Sequence, residues 1–374
     1  MTVAHHHRRS TFIDPRSLVF WVGMGLVVFG VIQVMPLITK IISEEPAVFG
    51  LSTLLWGVYA VVFSAITYRL ELFQRRSPIT MFGAFVWGAV VVTGVAIAGG
   101  DQIHDIVGKL LGPDQQDWVP AIAAPLVEEP LKMLGVIALA FIPAVKINSA
   151  LDGLYYGLFV GLGFQVMENI LYGAHAGSAA DSALAGVVAS FVLRGVVGGL
   201  WSHPTYSGIT GAGVGYFFGS GAPAAKRWLV ILGSLLLAMA LHGLFDSPLV
   251  EVDNPVIATV VKGIPALVLL LVLLRIARKR ERAVFEGIGE THVPTELVSS
   301  EELETLLTKR DRRKARKAMR KTHGFAASHA LGRLQRSQIE MIAAVSDEGA
   351  GSENALAYAD DVRDGRRVLQ DEIT

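Results

Sequence analysis

Four short stretches of this sequence put ionisable side chains inside long apolar runs. The first, APLVEEPLKMLG (residues 124–135), carries the adjacent carboxylates Glu128 and Glu129 with Lys132 four residues after the first. Glu128 and Lys132 share a helix face and can pair. Glu129 points about 100° away and is expected to use the same lysine less well. A purely structural ion pair accounts for Glu128 and Lys132 but leaves Glu129 unexplained. Two neighbouring carboxylates in a low dielectric tend to hold a shared proton, a state suited to a general base acting on water.

The second stretch, GFQVMENILYG (163–173), places Glu168 and Asn169 four and five residues beyond Phe164. Gly157, Gly161 and Gly163 around it read as points of close helix packing. In the third, FVLRGVVGGLWSHPTYSGITGAGVGYFFG (191–219), Arg194 requires an acidic partner or the membrane interface, and His203 stands just before Pro204. A histidine alone in such a run often only bridges two helices. The fourth, AMALHGLFDSP (238–248), sets His242 and Asp246 one helical turn apart, as two ligands or as an oriented base. Asp246 could instead cap the helix end before Pro248.

These residues must be positioned by membrane helices. Hydrophobic residues make up 52% of the 374 and charged residues only 18%, with a mean hydropathy of +0.48. A soluble domain usually carries about 25% charged residues. The charge is also uneven, since residues 278–374 hold 35 of the 66 acidic and basic residues. The absence of cysteine excludes disulfides, thiol catalysis and cysteine-ligated metals. The opening MTVAHHHRRSTFIDPR does not read as a cleavable leader, and His5–His7 are given no function.

A bilayer core of about 30 Å takes roughly 20 apolar residues as helix. Segments 17–39, 47–68, 79–99, 118–145, 150–173, 228–248 and 255–277 meet this, and 184–220 crosses once or twice. Arg8, Arg9 and Arg16, then Arg69, Arg75 and Arg76, Lys146, Lys226 and Arg227, and Arg278–Arg280 fall on one side if it crosses once. The acidic loop with Asp101, Asp105, Asp114 and Asp117, then Asp181, Glu251 and Asp253, falls on the other. The expectation is therefore an all-α integral membrane protein of about eight transmembrane helices (nine if 184–220 crosses twice), with both termini cytoplasmic. Counting about 1.5 Å per residue, Glu128 lies roughly 15 Å below the outer face and His242 roughly 20 Å above the inner one. Glu168 falls in the outer half, so the polar groups can converge in one cavity. The charged tail is expected to be partly helical, opening a helix near Ser300–Glu302. Its dense basic run Lys309–Lys321 could touch anionic lipid, or the tail could be a solvated regulatory segment. The segment 353–374 shows no clear core.

In this order, the paired glutamates with Lys132, Phe164 with Glu168–Asn169, His203, and His242 with Asp246 resemble the PrsW family of intramembrane proteases. That family sits within the superfamily of CAAX-prenyl and bacteriocin-processing proteases. The resemblance spans residues 118–248, a four-segment protease core. Residues 1–16, the three helices of 17–100, the last helix at 255–277 and the tail 278–374 lie outside it. It implies that Glu128 or Glu129 activates a water, that His203 and His242 stabilise an oxyanion or bind metal, and that Glu168, Asn169 and Asp246 orient them. Members are described as metalloproteases, and His203, His242 and Glu128 would suit a divalent ion such as zinc. No HExxH spacing is present, and a glutamate–histidine pair can act without metal, so both readings stand. No organic cofactor and no nucleic-acid partner is implied. The implied substrate is a single-span membrane protein cut near its outer face; members of the family act on anti-sigma factors. A proton- or ion-coupled transporter and a non-catalytic membrane scaffold are the competing classes.

Overall fold

Prolines punctuate the apolar runs and set where several helices start. Pro46, Pro78 and Pro255 open three of them, where a missing N–H costs nothing. The structure, a computed structural model, describes residues 12–71, 73, 76–250 and 252–374. His5–His7, and Arg8, Arg9, Arg75 and Glu251 of the topology reading, lie outside these.

Every regular element among the described residues is a helix. In chain order they are α1 (Leu18–Glu44), α2 (Pro46–Leu70), α3 (Pro78–Leu111), α4 (Val119–Ala140), α5 (Ala150–Ala179), α6 (Ala183–Val197), α7 (His203–Gly219), α8 (Ala224–Asp246), α9 (Pro255–His292), α10 (Ser300–Leu306), α11 (Lys309–Glu348) and α12 (Glu353–Ile373). Turns of π-helix interrupt α3 at Trp87–Val92 and close α6 at Val192–Val197. The chain falls into two compact units, divided near residues 67/68, 76/77 and 277/278.

Six helices are long and apolar enough to cross a membrane, or seven if the bent pair α6–α7 is one broken span. The protein is thus a multi-pass membrane protein, but eight spans are not reached by length and composition. The missing one is α4. Its 22 residues reach about 33 Å, yet Glu128, Glu129 and Lys132 lie within it. The bend in 184–220 falls at Gly198, between Ala183–Val197 and Gly199–Gly219, and measures 48°. The acidic stretch 101–117 is not a loop: α3 runs on to Leu111 and a 3₁₀ turn, Pro113–Trp118, follows.

In the membrane unit, α5 is buried along most of its length. Glycine makes this possible. A Cβ at Gly157 would stand 2.0 Å from the Ser207 carbonyl oxygen, and one at Gly161 would stand 2.3 Å from that of His203. The backbones of α5 and α7 therefore touch, as small residues in membrane helices allow. On the other side, a Cβ at Gly88 would lie 1.8 Å from the Val160 oxygen, which fits α3 against α5.

The tail unit has a core of its own. Phe285, Val293, Leu297, Leu303, Leu306, Leu334, Ile342, Val345 and Val362 are buried together, with Phe73 stacked on Phe285. Segment 353–374, which shows no core in the sequence, is a helix burying Ala355, Ala359 and Val362. The spacing i, i+4, i+7 is that of one helix face; small residues make this stripe faint against its many charges. Within α11 the helix breaks at Gly324, whose φ of 86° suits glycine.

Candidate active site

Helix α4 carries prolines inside it, at 125 and 130. Pro125 has no N–H to donate, which frees the Ala121 carbonyl one turn earlier. Gly243 of α8 packs at that carbonyl, where a Cβ would come within 2.5 Å. Next to Gly243 stands His242, so the proline in one helix and the glycine in another bring the glutamates and this histidine together. On its other flank α4 receives Trp87, whose indole donates to the Leu131 oxygen at 3.1 Å and fills the space left by Gly135.

Lys132 is the hub. It is fully buried, and its ammonium donates to Glu128 Oε2 at 2.8 Å, to Glu129 Oε1 at 2.8 Å and to His203 Nδ1 at 3.0 Å. An ammonium has three N–H groups, so all are engaged. The Phe164 ring lies 4.0 Å from Nζ, a further favourable contact for a desolvated cation. The expected inequality between the two glutamates is not found. Neighbours three apart share a helix face as do those four apart, and Glu129 reaches Lys132 as closely as Glu128 does.

From this hub the contacts run in two directions. With Nδ1 accepting from Lys132, His203 carries its proton on Nε2 and donates to Glu168 Oε2 at 3.0 Å. Arg194, on the π-helical turn, donates to Glu168 at 2.9 Å and to the Asn169 carbonyl oxygen, and lies over the Tyr172 ring. In the other direction, His242 Nδ1 lies 3.0 Å from Glu129 Oε1 and Nε2 lies 3.2 Å from Asp246 Oδ2. Both ring nitrogens face carboxylates, so both donate and the ring is held as an imidazolium. The structure thus links Glu128, Glu129, Lys132, Phe164, Glu168, Asn169, Arg194, His203, His242 and Asp246 in one contact network. In apolar surroundings an unpaired charge is costly, which is why each finds a partner.

Two residues of this region escape the sequence reading. Tyr206 stacks on the His242 ring, with centroids 5.1 Å apart and planes 14° apart. Its buried hydroxyl has no hydrogen-bond partner among the described residues. It follows His203 by three, on the same helix face, a signal open to use. Lys262 lies in the last apolar run and donates to the carbonyls of Phe245 (3.3 Å) and Ser247 (2.5 Å), satisfying the end of α8 below Asp246. A lysine in a span is itself a flag.

Glu128, Glu129, His203 and His242 offer ligand atoms within 4.8 Å of one another, all buried, and by type and spacing could hold a metal ion. Two carboxylates and two imidazoles suit zinc. Glu129 Oε2, buried without a partner among the described residues, would also welcome a cation or a water. Against this stands Lys132. Zinc bonds are about 2.0–2.2 Å long, so an ion sharing the Glu128, Glu129 and His203 atoms would compete for the place its ammonium holds. With Lys132 seated as it is, an ion would have to displace its ammonium or bind through atoms it leaves open, Glu129 Oε2 among them.

Fold and site together define an all-helical membrane protein with a buried cluster of paired carboxylates and imidazoles at its centre. Residues 76–276, more than half of the chain, match the PrsW family intramembrane metalloprotease, and the chain belongs to that family. No curated protein and no solved structure matches the chain. The match extends beyond 118–248 at both ends, taking in α3 and most of the apolar part of α9. Packing explains the wider limits. Gly88 and Trp87 of α3 seat α5 and α4, and Lys262 of α9 closes α8, so neither helix is an accessory to the site.

Proposed function

We propose that this protein is an intramembrane endopeptidase that hydrolyses a peptide bond of a single-span membrane protein near the outer face of the bilayer. The observation that carries the reading is the buried glutamate pair held by one lysine, in a chain of the PrsW family. Eight crossings, with α4 as one of them and both termini cytoplasmic, would put the pair at mid-membrane depth.

Glu128 is the better candidate for the base. Its side chain keeps an edge to the outside, at 11% exposure against 0% for Glu129, so water can reach it. Glu128 takes the proton of a water and the resulting hydroxide attacks the substrate carbonyl; as the tetrahedral intermediate collapses and its C–N bond breaks, Glu128 returns that proton to the leaving amine. Lys132 and the His242 imidazolium offset the negative charge that develops. Glu129 fixes both, because its Oε1 accepts from each. Glu168 holds His203 in its tautomer and Asp246 helps to orient the His242 ring, while Arg194, itself bonded to Asn169, secures Glu168. An anti-sigma-factor-like protein is one substrate of the proposed class. A metal, if bound, would supply a Lewis acid; none of these steps needs it.

Purified protein in liposomes is expected to cleave a single-span substrate. Glu128→Gln should lower the rate about 10³-fold, within the span of general-base effects, with the helical fold retained. Chelators should leave the wild-type rate unaltered. Cleavage persisting in the glutamine variant would remove Glu128 from the mechanism. A chelator loss restored by zinc would return the metal.

A further inference from the structure

Outside the matched family region, the tail presents a basic helix face with no evident role in proteolysis. Residues 309–321 hold nine Lys and Arg against the single acidic residue Asp311. Asp311 is engaged at the N-cap by Thr308. At 100° per residue, Arg310, Arg313, Lys314, Lys317 and Lys321 occupy an arc of about 100°, and all are exposed. Lys309 and Arg320, also exposed, extend it on one side. The opposite face turns inward. Arg312 is buried near Phe73, and Arg316 reaches Gln335 and accepts from Ser328 through its carbonyl. Among the described residues, no carboxylate pairs with Arg310, Arg313, Lys314, Lys317 or Lys321. Two arginines thus turn inward and five bases face outward without a carboxylate, an electropositive surface open to an anionic partner.

The same unit contains the end of a candidate membrane span. Tyr68–Arg76 belongs with Arg278–Thr374. Lys309 donates to the Arg69 carbonyl at 2.7 Å, and Arg278 donates to the Leu70 carbonyl at 2.6 Å. The basic helix thus begins within one hydrogen bond of the last turn of α2, where apolar chain gives way to polar. A lipid surface potential fades within a Debye length, about 10 Å at 0.1 M salt. Phe325 follows the basic face just after the Gly324 break, is 69% exposed and lies beside the Arg320 guanidinium. An exposed aromatic beside cations suits the headgroup layer.

We propose that the Arg310–Lys321 face binds the anionic headgroups of the membrane the chain itself spans, laying this helix along the bilayer surface. The interaction is independent of peptide-bond cleavage. Since the chain has no cysteine, an Ala318→Cys substitution gives one spin-label site beside the face without removing a base.

The full-length labelled protein is placed in nanodiscs of phosphatidylcholine, alone or with phosphatidylglycerol. Label accessibility to a water-soluble paramagnetic nickel reagent is expected to fall several-fold when the anionic lipid is present. It should recover in about 1 M salt, where the Debye length is about 3 Å, and each base removed should weaken the contact about fivefold. The combined Arg313→Glu, Lys314→Glu, Lys317→Glu and Lys321→Glu variant should show no lipid dependence. Hydrogen exchange at Ile339–Val345 reports whether its tail is folded; should the reversal unfold it, the four Gln substitutions replace it. Equal accessibility in the two nanodiscs overturns the proposal. Protection that needs no anionic lipid and disappears with nuclease overturns it in favour of a nucleic acid.

Discussion

Two lysines of this chain show what surroundings do to a charge. Lys132 in the membrane unit is wholly buried and gives each of its N–H groups to a named partner. Lys314 in the tail is exposed and has none among the described residues. In water an ammonium is stabilised by solvent, and a surface ion pair adds only about 0–1 kcal/mol. In an apolar interior the same charge must be matched on the spot, so one lysine recruits two glutamates and a histidine. Charges in the membrane body therefore mark a site by necessity. Charges in the tail mark only a surface, whose partner has to be sought outside the chain.

That contrast can be broken by substitution. Lys132→Met leaves two buried carboxylates without their cation and should cost about 3–5 kcal/mol together with all cleavage. The check is a denaturation curve in detergent beside an activity assay, and retained stability would mean the glutamates are not held charged by Lys132.

A middle case lies in the tail core. Burial alone would raise the Glu302 carboxyl, but the Arg366 guanidinium at 2.8 Å and the Ser299 backbone N–H hold it below its ordinary value of 4.5. A depressed carboxyl contributes stability above its unfolded value and loses it as pH falls through the folded one. Tail stability should therefore drop as the solution is acidified below 4.5, and Arg366→Ala should flatten that dependence while costing about 1 kcal/mol. Hydrogen exchange at Ile339–Val345 across pH reads both. Smallest of all, Lys314→Ala should shift stability by no more than about 0.5 kcal/mol in neutral lipid, measured by the same exchange.

The site was readable in outline because polar residues inside apolar runs are conspicuous. Glu128–Glu129, Glu168, His203, His242 and Asp246 could each be picked out without coordinates, and Arg194 could be said to need an acid. Its partners, Glu168 and Asn169, could not be chosen, because they lie 26 and 25 residues away along the chain and only the contact of α5 with α6 selects them. Phe164 was flagged by its place in a motif, whereas its position against the Lys132 ammonium depends on how α4 faces α5. Tyr206 and Lys262 were passed over although each left a trace. The tail's core went unseen for another reason. Alanines at 355 and 359 bury area without announcing it, and 353–374 reads as a string of charges.

By itself, then, the sequence determined that the chain enters a membrane, which segments are apolar, and which few groups must be neutralised there. These follow from composition and local spacing, because transfer from water to lipid is scored residue by residue. Tertiary structure alone decided that one lysine serves both glutamates, that His242 is clasped between Glu129 and Asp246, and that a lysine ammonium stands where a metal might have been sought. Those outcomes depend on how closely helix backbones approach. That approach is set by glycine against carbonyl and proline against glycine, pairs distant along the chain that meet only on packing.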